Sequence, residues 1–431
     1  MTTDPRAPRV HPAWIVAAVT LGALVAAAAF RSSIGVLLEP IESEFGWTRA
    51  TTSGAVTVNL VLYGLVAPFA AALMERWGVR RTVTTALILI GTASALTTVM
   101  REPWHLWLLW GLVIGVGTGM MALVFGAIVA NRWFHTHRGL VTGIFSAANA
   151  TGQMVFLPVI AATATSAGWR YAVGIECVLA FVGAALVARF LVDHPADRAL
   201  LPYGVAEGYA LGAPAPRNTT ESPVTTALRT LKTAARTWAF WCLAATFFVC
   251  GWSTNGLIQT HFIPAAHDGG MSPTVAAGLL AIVGTFDVFG TIASGWLTDR
   301  VDSRLLLAVY YGGRGLSLFA LDRVLGPDVG PGLWIFIIFY GLDWVATVPP
   351  TVALCRQHFG LADSGIVFGW VFAAHMIGAG ISASVSGALR TSTGSYSSAW
   401  LVAAALCLAA ATLALLIRRT PSASVPAAAP A

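Results

Sequence analysis

Apolar residues in this chain neither alternate nor keep to one helical face. They run in blocks of about twenty, separated by short polar stretches. A helix that is apolar all round has no wet face, and roughly 20 such residues cross a hydrocarbon layer about 30 Å thick. The blocks predict helices near 13–38, 50–74, 82–100, 106–130, 139–165, 170–192, 238–262, 272–298, 305–322, 332–355, 364–389 and 397–417. The pattern is that of an all-α polytopic membrane protein with twelve spans. One long polar interruption, residues 193–236, divides them six and six, giving bundles at 1–192 and 237–431. Its first half is rich in Ala, Pro and Thr and reads as a flexible linker. After Pro223, with Arg229, Lys232 and Arg236, it reads as a short amphipathic helix at the membrane surface.

Composition narrows the class. Charged residues make up 10% of the chain and hydrophobic ones 57%, where soluble proteins carry about 25% charge. Of the 25 Lys and Arg, five fall on one side (Arg49, Arg101, Arg170, Arg323 and Arg390) and Arg31 and Arg314 lie inside spans. The other 18 fall on the side of the termini and the linker, which the positive-inside rule makes the cytoplasm. The net charge of +6 thus follows from topology and calls for no nucleic-acid partner. The first apolar run is too long for a signal-peptide core of 7–15 residues and reads as an uncleaved helix in the inner membrane. Cys177, Cys242, Cys250, Cys355 and Cys407 sit in apolar runs without CxxC spacing, so no disulfide, metal site or other cofactor is expected. GVGTGM lacks a third glycine and no Walker A sequence occurs, so neither enzyme chemistry nor ATP coupling is expected.

The two halves echo each other. ALMERWGVRR (72–81) follows the second predicted helix and GWLTDRVDSR (295–304) follows the eighth. This repeat resembles the loop motif of the major facilitator superfamily, with Ala71 and Glu75 for the family's Gly and Asp, and Asp302 for a Gly. The resemblance implies two six-helix bundles that rock about a midplane site. It also implies that Glu75, Arg76, Arg80, Arg81, Asp299, Arg300 and Arg304 hold one conformation by pairing at cytoplasmic helix ends. GVLLEPIESEFGWTRATTSGA (35–55) and NRWFHTHRGLVTGIFSAANATGQ (131–153) further resemble bacterial monocarboxylate porters and oxalate/formate antiporters. That implies a monomeric secondary transporter for a small organic anion, coupled to protons or working by exchange. Two positions depart from the branch. Trp110 precedes GLVIGVGTG where many facilitators carry Arg, and FDVFGT (286–291) keeps the acid Asp287 but has Thr291 for the anion-binding Arg.

Polar residues inside the spans are the candidate site. Arg31 in AAAAFRSSIGVLLEP either grips a carboxylate with its planar fork or snorkels to the interface. Asp287, Arg314, Asp343 and His375 fall near mid-span, and intramembrane charges pair, so Arg314 is expected against Asp343 or Asp287. One of those acids, or His375, is a candidate for the coupling proton. Asn59 and Tyr63, Asn149 and Gln153, and Asn255 and Gln259 each lie four apart on one helix face. They line a polar path for substrate, beside Trp344, or they tie helices together. Pro349 and Pro350 are expected to bend the tenth helix. Efflux of amphipathic compounds is the alternative within transport, favoured by sixteen tryptophans; a membrane sensor is the alternative outside it.

Overall fold

The computed structural model describes residues 11–205 and 221–418. The first helix, α1, is Pro12–Ser32, and after a one-residue interruption at Ser33 an outer helix continues over Ile34–Phe45. The second, α2, is Arg49–Leu65 plus Ala67–Trp77, bent by 51°. Pro68, in the first turn of the second piece, lacks the N–H that would continue the ladder, which accounts for the bend. Then follow α3 (Val79–Thr97), α4 (Pro103–Trp133), α5 (Arg138–Ser166) and α6 (Trp169–Phe190). The second half has α7 (Trp238–Asp268), α8 (Pro273–Thr298) and α9 (Ser303–Val324). A continuous helical stretch, Pro331–Thr393, comes next, and Ser397–Leu416 closes the set.

The stretch Pro331–Thr393 is two spans. Gly360 has φ of 72° and ψ of 176°, outside any helix. Thr347 touches Cys250, and His375 lies against Gly251, so positions 347 and 375 stand at one level. A straight helix would separate them by about 40 Å. The chain reverses at Gly360, giving α10 (331–359) and α11 (361–393), and Ser397–Leu416 is α12. The boundaries agree with the expected twelve to within a few residues, apart from the continuation of the first helix to Phe45 and of the seventh to Asp268.

The polar interruption is more structured than its composition implies. Asp193 accepts the main-chain N–H of Arg80 at 2.7 Å, and Tyr203 exchanges main-chain bonds of 2.8 Å with Trp133 and His135. The Tyr203 ring packs on Trp14 and Phe134. The start of the expected loose linker is therefore docked; residues 206–220 lie outside the described residues. The amphipathic helix forms over Pro223–Ala234, with Ser222 capping it. It lies across the ends of α2 and α11, where the Trp370 indole donates to Ala227 at 3.1 Å.

Candidate transport site

A cavity of about 640 Å³ lies between the halves. That is the size of a small-molecule site. From the first half, Tyr63 on α2 and Asn149 and Gln153 on α5 line it; from the second come Asn255 and Gln259 on α7, Asp287 on α8, Trp344 on α10 and His375 on α11. Apolar walls such as Leu157, Phe247, Ile263 and Phe372 complete it. His375 is held between the Phe247 and Phe372 rings, at 4.9 and 5.7 Å.

The halves meet at the end that carries the linker and part around the cavity. At the meeting end α5 and α8 approach as bare backbones. A Cβ on Gly139 would collide with the Gly295 carbonyl, and one on Gly143 would lie 2.6 Å from the Thr291 carbonyl. Small residues permit this contact. Toward the other end Met154, Leu157 and Ala277 of the same two helices line the cavity instead.

Asp299 adds a directed contact at the closed end. His137, preceding α5, has a left-handed φ of 62° and makes no side-chain cap. Asp299 supplies it from the other half, accepting the N–H groups of Gly139 at 2.7 Å and Leu140 at 3.0 Å. A carboxylate at a helix N-terminus satisfies orphan donors and meets the positive end of the dipole. The first copy of the repeat behaves differently: Glu75 pairs with Arg132 of α4, inside its own half. Arg304 clamps Asp302 and the Ile417 carbonyl within the second half, and Arg300 stacks on Trp296 at 4.0 Å. Arg80 and Arg81 are exposed and Arg76 half-buried at the same end. Of the seven expected latch residues, Asp299 makes the direct bond between halves.

The buried charges are organised by a break in α10. Helix stops at Asp343 and resumes at Val348 with Pro349 and Pro350 in its first turn, where missing N–H groups cost least. The break exposes backbone groups that a membrane interior cannot hydrate. Arg314, fully buried, donates to the carbonyls of Asp343 at 2.6 Å and Trp344 at 3.2 Å, and Nε pairs with Asp343 Oδ2 at 2.6 Å. Its remaining nitrogen reaches Ser253 Oγ at 3.2 Å. Asp343 is thus the partner of Arg314. Asp287 instead accepts the Val345 N–H at 3.1 Å and the Thr291 hydroxyl at 2.7 Å. The residue that departs from the family's Arg therefore serves the acid one turn before it.

One site expectation changes. Asn59 does not join Tyr63 on a polar path: it is buried and donates to the Trp110 carbonyl at 2.8 Å, tying α2 to a widened, π-helical part of α4. Tyr340 does the same for the widened part of α7, donating to Ser253 at 2.7 Å. Arg31 is in α1, but its side chain lies outside the described residues. Sequence reasoning missed Glu176 in α6, buried with neither carboxylate oxygen bonded. An acid in the apolar run GIECVLA was the signal.

Two helical halves thus surround a central cavity that is closed at one end. The model of the Major Facilitator Superfamily matches residues 19–369. The chain belongs to this superfamily. It is 26% identical to YcxA of Bacillus subtilis (strain 168), named as an uncharacterized MFS-type transporter, over 98% of this chain and 97% of that one. It is 25% identical to monocarboxylate transporter 11 of Mus musculus, over 92% of this chain and 85% of that one. The fold matches the E. coli fucose:proton symporter FucP with a TM-score of 0.70 at 16% identity, covering 95% of this chain and 100% of that one. The human organic anion transporter MFSD10 gives a TM-score of 0.70 at 15% identity, over 94% and 100%. The protein is a multi-pass membrane transporter and not an enzyme.

Proposed function

We propose that this transporter moves a small organic acid with an apolar portion across the inner membrane by alternating access, together with a proton. One observation carries the reading: Asp287 lines the cavity and also holds the N–H of Val345 in the α10 break. A proton on that carboxylate weakens its grip on the break, so cavity chemistry and the hinge share one group. The amides of Asn149, Gln153, Asn255 and Gln259, with Tyr63, supply hydrogen bonds to the acid, and the apolar walls take the remainder. Similarity to monocarboxylate transporters supports the substrate class.

The 1–192 and 237–431 halves, joined by the 193–236 segment, rock about the midplane site as a monomer, and no ATP takes part. Fourteen of the described Lys and Arg lie at the end where the halves meet, which supports reading it as the cytoplasmic end and the side of both termini. The cavity then opens outward. In inverted vesicles and in whole cells, labelled pyruvate should accumulate when the receiving side is alkaline, and Asp287→Asn should lose that accumulation while keeping exchange of pyruvate for pyruvate. A second reading, efflux of amphipathic compounds, is favoured by one observation: among the described residues no Lys or Arg lines the cavity. Expulsion of a hydrophobic dye without any pyruvate movement would decide for it.

A further inference from the structure

Glu176 has no place in the mechanism above. It lies on α6, away from the cavity, and is fully buried, and neither oxygen has a hydrogen-bond partner among the described residues. One turn earlier Val173 belongs to the apolar core that also holds Ala29, Leu37, Ala93 and Ile160. Beside it stands Ser33, the residue at which α1 is interrupted, whose hydroxyl is turned to the Phe30 carbonyl at 3.3 Å.

The elements packed on α6 are α1, α3, α5 and the outer helix. Ionisable groups on α3 and α5 sit only at the closed end: Arg80, Arg81 and Arg138. The outer helix carries Glu39, Glu42 and Glu44, and Glu44 is taken by Arg170 and Trp169 of α6 at 2.6–2.7 Å. Cys177, next to Glu176, is turned to the Gly91 carbonyl. On α1 the one charged residue is Arg31, two positions before Ser33. No described cation compensates the carboxyl.

An uncompensated buried carboxylate is expensive enough that the group neutralises instead. We propose that Glu176 is a proton-binding site in the first half, separate from the substrate cavity, occupied in this conformation and emptied when α1 moves at Ser33. The ligand is the proton itself, and the site makes the position of the outer part of α1 depend on pH. This proposal does not depend on the identity of the substrate.

Dicyclohexylcarbodiimide enters membranes and modifies carboxyl groups that hold a proton. Purified protein in detergent should form the adduct at Glu176, located by mass spectrometry of its peptides, at pH 7. Its rate should change less than about threefold between pH 5 and pH 7, where an ordinary glutamate loses its protonated form roughly 80-fold. Absence of the adduct at pH 7 overturns the site, and this reading needs no variant. The link to α1 is read from an environment-sensitive fluorophore on Ser43→Cys in a cysteine-free background. Its emission should shift between pH 5 and pH 8, and Glu176→Gln should remove the shift while eluting as the same monodisperse species. The same shift in both proteins overturns the link. If Glu176→Gln fails to fold and Arg31→Gln restores it, Glu176 belongs to an ion pair and the proposal is wrong.

Discussion

At the scale of single residues, the question asked of each polar side chain is whether it serves substrate or backbone. Arg314 serves backbone: it carries the carbonyls of the α10 break as well as Asp343. Removing one member of a buried pair commonly costs about 3–5 kcal/mol, because the other charge is stranded. Arg314→Ala should therefore lower the yield of folded protein severely. Adding Asp343→Asn should recover part of it, and adding Asp287→Asn should not, measured by size-exclusion yield and thermal unfolding. Asn59 makes a similar case. Asn59→Leu loses one buried bond and leaves the Trp110 carbonyl without that donor, at about 1–3 kcal/mol. It should lower the melting temperature and leave substrate affinity within a few fold. Asn255→Leu, in the cavity wall, should do the reverse.

Elements meet across the halves through α5 and α8. Their contact depends on Gly139, Gly143 and Gly295, since any Cβ there reaches the facing backbone. Asp299 then caps α5, and an N-cap is worth about 0.5–2 kcal/mol. Both contributions exist only while this end is closed. Asp299→Asn and Gly295→Ala should each shift the population toward the state open at this end. Spin labels at Thr136→Cys and Val301→Cys, exposed on opposite halves, should show a longer distance distribution in both variants by pulsed resonance. A distribution equal to the parent's would remove Asp299 from the latch. In this closed state the first copy of the repeat makes its ion pair within one half, between Glu75 and Arg132.

For the whole molecule the testable property is orientation. In a cysteine-free variant, Thr225→Cys on the surface helix should resist an impermeant maleimide in whole cells and react after lysis. Ser392→Cys, at the opposite end, should react in both. Both positions are exposed, so burial does not decide the outcome. Reaction of Thr225→Cys without lysis would invert the topology and make the cavity face the cytoplasm.

Twelve spans, their approximate limits and the two-half organisation were legible in the chain, because the bilayer imposes a length of about twenty apolar residues on every crossing. The mid-span charges were legible too, since each is costly enough in an apolar run to require a reason. Their partners were not. Asp287 and Asp343 look alike along the sequence, and only the packing of α8, α9 and α10 gives Arg314 to one and the Val345 N–H to the other. The i, i+4 spacing put Asn59 and Tyr63 on one face but could not say that this face turns from α4 to the cavity within a single turn. Glu176 went unread in the sequence although it obeys the same rule as the other charges. Its isolation among apolar side chains depends on which helices surround α6, and a linear sequence does not contain that information.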